Sequence, residues 1–271
     1  MFLVGAGPGD PKLLTLRSVE VIRIAEVVMY DRLVSKEILD LVPTRAKKID
    51  VGKSPHMGGT TQDEINQVMV REAREGKNVV RLKGGDPLLF SRGFEEMEIL
   101  KAEGLEFEII PGISSAIGVA TYAGLPLTHR RYSSSVAIVT GHEDTSKTGD
   151  RVNWKRLASS VDTIVVLMGA SRLREICKEL IDSGLASPTP VAIIEAGTTK
   201  DQRISFSTLD ECTAGTLTVS IKPPSIIVIG QVVGIAKDSQ MWESDVRVLD
   251  RPPTSTEAQL VASWCMAAEF S

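Results

Sequence analysis

Two α/β domains with a cleft between them, the first built mainly on a parallel sheet and the second on a mixed one, is the fold class that the sequence predicts. Three observations predict it. Short apolar stretches alternate with helix-like stretches, the pattern of a sheet covered by helices on both faces. The alternation runs in two series, which part near 112–115, where Pro111-Gly112 closes the first. Glycine loops follow directly on two of the strands, at the strand ends where open α/β sheets bind ligands.

The first strand is 2–5 (FLVG), followed by "VGAGPGDP". Asp10 as N-cap and Pro11 at the first helical position open a helix over 11–24. Strands follow at 26–30 (EVVMY) and 47–51. A helix over 61–75 has threonines at its start, Asp63 and Glu64 in its first turn, and Gly76 as its stop. Strand 78–82 (NVVRL) runs into Gly84-Gly85-Asp86-Pro87, then a helix over 88–103 and a strand at 106–110. The second series has strands at 135–140, 163–168, 190–194 and 225–230, with helices near 153–159 and 171–183. Residues 203–222, rich in Ser and Thr, read as antiparallel strands and make the second sheet mixed. The domains are expected at 1–113 and 114–240. The last stretch, 241–271, changes character at Pro252-Pro253 and reads as a tail. A junction between two such domains is a favoured place for a small ligand.

Bulk properties narrow the function. The 271 residues are 42% hydrophobic and 24% charged, ordinary for a globular protein with a core. A net charge of −4 gives no global basic field, so no nucleic-acid partner is expected. The longest apolar runs, "TIVVLMGA" and "PSIIVIGQVVGIA", fall short of a membrane span, so no membrane partner is expected either. Met1 leads straight into a strand, without the basic start of a signal peptide. Cys177, Cys212 and Cys265 are isolated and the histidines scattered, which argues for a reducing compartment and against a metal. A cytoplasmic protein is expected.

The loop at 4–11 reads Gly5-x-Gly7-x-Gly9 and inserts Pro8. It is either a tight turn or a loop whose backbone meets a ligand. A nicotinamide dinucleotide is the alternative cofactor, with Asp31 as its ribose acid, but the third glycine is misplaced. Gly84 and Gly85 allow close approach, and Asp86 either caps the next helix or accepts from a ligand. Arg92 with Glu95 or Glu96 is either a surface ion pair or a carboxylate-binding fork. Asp31, Arg32 and Lys53 follow apolar strands, and "LTHRR" adds Arg130 near the junction. Together these cations suit an anionic substrate.

The motifs "VGAGPGDPKLLTLRS", "YDRLVS", "VVRLKGGDPLLFSRGFEE", "PGISSAIGVATYAGLPLTHR", "VTGH", "VLMGA" and "IIVIGQVV" occur in the order seen in uroporphyrinogen-III C-methyltransferases. The chain resembles that family over about residues 2 to 236. The resemblance implies the tetrapyrrole methylase fold, a homodimer, and S-adenosyl-L-methionine as methyl donor, with S-adenosyl-L-homocysteine as product and no metal. It implies two methyl transfers to an anionic tetrapyrrole, uroporphyrinogen III, at positions 2 and 7, giving precorrin-2 by way of precorrin-1. That product feeds sirohaem and cobalamin. Cofactor contacts are expected at Pro8, Gly84, Gly85, Asp86, Leu89, Ser114, Ser115, Met168, Ala196 and Gly197. Asp31 and Lys53 match the family's proton acceptor and donor, and Arg92, Glu95 and Arg130 match residues that handle substrate and proton. The sequence departs from the usual pattern in three places: Ser91 for glycine, the Ser114-Ser115 pair, and Ser54 with the histidine shifted to His56. The alternative within the fold is a later precorrin C-methyltransferase.

Overall fold

The structure, a computed structural model, describes residues 1–52, 61–142, 152–215 and 221–239. Among these the chain divides into two compact units, Met1–Ile113 and the residues from Ser114 onward.

The first unit holds strands β1 (Phe2–Gly5), β2 (Val27–Tyr30), β3 (Lys47–Asp50), β4 (Val79–Lys83) and β5 (Glu108–Ile110). They form one parallel sheet in the order β3-β2-β4-β1-β5. Successive residues of a strand face opposite sides, and this sheet has a core on each side. Val4, Val28, Val80 and Leu82 meet Val21 and Ile22 of helix α1 (Leu16–Ile24) and Ile38 of α2 (Lys36–Leu39). Leu3, Val27, Met29 and Val79 meet Ile65 and Met69 of α3 (Gln62–Arg74) and Leu100 of α4 (Gly93–Ala102). Strand β4 therefore presents Val80 and Leu82 to one layer and Val79, Arg81 and Lys83 to the other.

Two expected helices start later than their sequences imply. Pro11–Leu13 is a 3-10 turn, with Asp10 accepting from the Lys12 amide at 2.8 Å. Leu14 and Thr15 are extended, and Thr15 caps α1 by accepting from the Ser18 amide at 3.1 Å. A second capping residue four positions after the proline thus splits the predicted 11–24 helix. The 88–103 helix begins only at Gly93, because Phe90 and Arg92 are left-handed at φ 55° and 61°. Helix α3 keeps its expected start, a reciprocal cap between Thr61 and Glu64 with amide bonds of 2.6 and 3.2 Å. Its threonine cap is the signature the sequence carried.

The second unit opens with α5 (Ser115–Tyr122) and continues through β6 (Val136–Thr140), α6 (Trp154–Ser160), β7 (Thr163–Leu167) and α7 (Leu173–Asp182). Then come β8 (Pro190–Glu195), β9 (Arg203–Thr208), α8 (Leu209–Ala214), β10 (Ser225–Ile229) and α9 (Gln231–Ser239). The sheet order is β6-β7-β10-β8-β9, with β6 and β7 parallel and the other pairings antiparallel. One face packs on α5 and α9, the other on α6, α7 and α8. The Ser/Thr-rich stretch supplies one antiparallel strand, β9, and then turns into α8 at Thr208-x-x-Glu211, where the Thr208 amide donates to Glu211 at 3.2 Å. Residues 216–220 of that stretch, and the tail 241–271, lie outside the described residues.

Candidate active site

The site is built at the carboxyl edge of the first sheet. Strands β1 and β4 are neighbours, so their glycine loops leave side by side. The Ala6 amide donates to the Lys83 carbonyl at 2.8 Å, and Gly7 and Gly85 exchange backbone bonds of 3.1 and 2.8 Å. Gly112, just past β5, closes against both loops. A Cβ on Gly112 would lie 2.2 Å from the Gly85 carbonyl oxygen and 2.7 Å from Gly5 Cα, and one on Gly5 would lie 2.4 Å from the Gly112 nitrogen. Three backbones meet where a side chain has no room, so these glycines are required before any ligand is considered. Pro8 sits at the tip of the first loop, between Gly7 at φ 68° and Gly9 at φ 147°.

Asp86 ties the second loop to the third. One carboxylate oxygen accepts from the Leu88 amide at 2.8 Å, the other from the Gly112 amide at 3.1 Å. It does not cap α4, whose first turn is preceded by Arg92. A carboxylate has about four acceptor positions, so Asp86 keeps capacity for a ligand. Beyond it the chain folds back on the Pro87 carbonyl, which accepts from the Ser91 hydroxyl. A Cβ at Gly93 would come within 1.9 Å of that carbonyl oxygen. Serine at 91 is therefore compatible with the turn, whereas residue 93 has to be glycine. Arg92 Nε donates to both oxygens of Glu95 at 3.0 Å, each side chain being 50% exposed.

Asp31 follows β2, the other neighbour of β4. Its Oδ1 accepts from Arg81 Nη2 at 2.6 Å. Arg81 is 2% exposed, and its Nε donates to Glu96 Oε1 at 3.2 Å. The same Glu96 oxygen accepts from Lys83 Nζ at 2.8 Å, and Glu96 is fully buried on α4. Burial, and next the Arg81 charge, push the Lys83 ammonium below its ordinary range, with Glu96 opposing. Arg81 and Lys83 were not singled out from the sequence, and Glu96 only as an alternative partner for Arg92, whereas it pairs with Arg81 and Lys83. The available signal was two cations spaced by two in an apolar strand, which puts both on one covered face. Lys53, Ser54 and His56 lie outside the described residues.

In the second unit Met168 follows β7 and Ala196-Gly197 follow β8. Both strands run antiparallel to β10, so these positions share one edge. The Ala196 amide donates to the Pro224 carbonyl at 2.9 Å. A Cβ on Gly197 would lie 2.2 Å from Val119 on α5, so that turn packs directly on the helix that Ser115 begins and Ser114 caps. Arg130 is elsewhere. It is exposed in the turn His129–Ser133, whose Ser133 hydroxyl bonds Thr163, the first residue of β7, at 2.8 Å. The length of β7 separates that edge from Met168.

Backbone strain marks the same places. Among the described residues, the non-glycine residues at positive φ are Phe90, Arg92, Met168, Ala196 and Thr198. Each is an expected site residue or adjoins one, and such conformations gather at functional sites. No cluster of His, Cys, Asp and Glu among the described residues is arranged to hold a metal ion. No helix among them is long and apolar enough to cross a membrane.

Residues 1–213 match the profile of the Tetrapyrrole (Corrin/Porphyrin) Methylases. This chain is a tetrapyrrole methylase. It is 51% identical over 233 residues to a protein of Methanosarcina barkeri named S-adenosyl-L-methionine-dependent uroporphyrinogen III methyltransferase, covering 86% of this methylase and 91% of that protein. It is 46% identical over 259 residues to the siroheme synthase of Psychromonas ingrahamii, covering 96% of this methylase and 53% of the synthase. The methylase thus spans about half the length of the siroheme synthases it matches. Among solved structures, uroporphyrin-III C-methyl transferase from Thermus thermophilus, complexed with S-adenyl homocysteine, superposes with a TM-score of 0.74 at 39% identity. That match covers 86% of this methylase and 98% of the Thermus chain.

Proposed function

We propose that this methylase transfers two methyl groups from S-adenosylmethionine to uroporphyrinogen III, at positions 2 and 7, giving precorrin-2 by way of precorrin-1 for sirohaem- and cobalamin-type cofactors. The observation that carries the reading is 51% identity over nearly the whole length of a relative named for that donor and acceptor. The residues suit both. S-adenosylmethionine supplies a methyl group on a sulfonium sulfur, and a porphyrinogen pyrrole carbon is electron-rich enough to attack it in line. The pyrrole's electron pair makes the new carbon–carbon bond, the sulfur–carbon pair leaves with sulfur, and the macrocycle loses one proton to regain neutrality.

What the chain must supply is alignment, charge and a base. Pro8, Gly84, Gly85, Asp86 and Leu89 bind the donor in the first unit, with the Asp86 carboxylate suited to a sulfonium cation. Ser114, Ser115, Met168, Ala196 and Gly197 are the donor contacts of the second unit. Asp31 accepts the proton, and Lys53 is the partner acid. Arg92, held by Glu95, binds a substrate carboxylate, and it is no base because a guanidinium does not deprotonate in proteins. Arg130, at the far edge of its sheet, serves a carboxylate arm and not the reacting carbon. The active form is a homodimer.

Incubation with uroporphyrinogen III and methyl-labelled S-adenosylmethionine tests the reading. Two labels per macrocycle are expected. Transfer only to an already methylated precorrin assigns a later methyltransferase, and tight binding of a nicotinamide dinucleotide without S-adenosylmethionine binding overturns both.

A further inference from the structure

We propose that the buried Arg81–Glu96 pair positions the catalytic carboxylate: it holds Asp31 by one oxygen and leaves the other, Oδ2, to take the macrocycle's proton. The inference rests on Asp31 being the proton acceptor. Its ground is a guanidinium pinned at all three nitrogens. Nε donates to Glu96 at 3.2 Å, Nη1 to the Leu82 carbonyl at 3.1 Å, and Nη2 to Asp31 at 2.6 Å. A planar fork fixed at three points cannot turn, so Asp31 Oδ1 is fixed with it. Among the described residues nothing donates to Oδ2, and Asp31 is 32% exposed while its anchor is buried.

The charges also balance. Arg81 and Lys83 face Asp31 and Glu96, two cations against two anions. Asp31 is thus both the proton acceptor and the counterion of a buried arginine. Lys83 keeps Glu96 in place by the shared oxygen, which also accepts a longer bond of 3.4 Å from Gln62 Nε2, while Glu96 Oε2 is buried without a partner among the described residues. In the reaction one macrocycle C–H bond breaks, its electrons stay with the ring, and the proton passes to Oδ2.

A double-mutant cycle separates positioning from scaffolding. Arg81→Lys keeps the charge but cannot reach Glu96, Leu82 and Asp31 together, and Glu96→Gln keeps the shape. Each is expected to lower kcat by about tenfold or more with KM for S-adenosylmethionine within about twofold. Asp31→Asn combined with Arg81→Lys is expected to be no slower than Asp31→Asn alone, because the arginine acts through the aspartate. Losses that multiply, a change confined to KM, or unaltered kcat overturn the proposal. If Arg81→Lys does not fold, the same cycle with Glu96→Gln decides. If neither folds while Asp31→Asn does, the pair is scaffolding and the proposal is wrong. Wild-type protein without transfer to uroporphyrinogen III overturns this inference together with the proposed function, whereas multiplying losses in an active enzyme overturn the inference alone.

Discussion

Arg92 is held left-handed at the head of α4, with its side chain on an exposed glutamate three residues on. A half-exposed pair of this kind contributes roughly 0–1 kcal/mol, and a left-handed arginine costs about 1–2 kcal/mol relative to glycine. Arg92→Gly is therefore expected to leave the melting temperature unchanged or slightly raised, while methyl transfer falls by about a hundredfold or more. Thermal unfolding beside the labelled-methyl assay checks it, and a loss of stability with activity retained would return Arg92 to the surface. Glu72 behaves in the opposite way. It is almost fully buried on α3 and bonded by Lys47, Lys77 and Arg71 at 2.7, 3.1 and 3.3 Å. The Lys47 bond, with those of Lys77 and Arg71, outweighs its burial and holds its carboxyl at about 2, below the ordinary 4.5. A lowered carboxyl stabilises the fold above pH 4.5 and loses that contribution as pH falls through about 2. Glu72→Gln should cost on the order of 1–2 kcal/mol at neutral pH, the basic partners being partly solvated. It should also flatten the acid limb of stability, read by urea unfolding across pH. Asp31 and Arg92 were legible as candidates because they interrupt apolar patterns at strand and helix ends. The Arg81–Glu96 link was not, since it joins a strand to a helix that only the fold brings together.

Helices and loops carry the next lesson. Gly112 has no space for a Cβ among three backbones, and overpacking of a rigid site costs about 1–3 kcal/mol. Gly112→Ala is expected to lower the first unit's stability by that amount and to weaken S-adenosylmethionine binding by displacing the Asp86 clamp. Gly104→Ala is the control: its Cβ meets open space, so only the backbone strain of a side chain at φ +67° is added there and donor binding stays intact. Calorimetric titration and chemical unfolding of both variants check the pair. The buried parallel strands were legible because their apolar runs are short, bounded by turn residues and alternate with helix-length stretches. The starts of α1 and α4 were not. At α1 two competing caps, Asp10 and Thr15, lie within six residues, and only tertiary packing selects the second. At α4 the obstacle is two left-handed residues of types that seldom adopt that conformation. Helix α9 was hidden for a different reason: only Gly230 and Gln231 separate the apolar strand from the apolar "VVGIA" of the helix.

At the scale of the molecule, two α/β units were readable from the alternation alone, and the family from motif order. The strand order was not. In each sheet the centre is filled out of sequence, β4 lying between β2 and β1, and β10 between β7 and β8. Sequence adjacency says nothing of such insertions. The proposed homodimer belongs to this scale too: sedimentation is expected to give twice the mass of the 29.3 kDa chain, and a monomer with full activity would refute it.

The placement of β10 has a consequence for biosynthesis. Strands β6–β7 and β8–β9 leave the ribosome as two separate pairs, each with a bare hydrogen-bonding edge, and no strand pairing joins them until Ser225–Ile229 has been made. The five strands of the first sheet, by contrast, are all made before then. A stalled or nicked nascent chain ending before Ser225 would thus expose open sheet edges, the kind of surface that seeds aggregation and recruits chaperones.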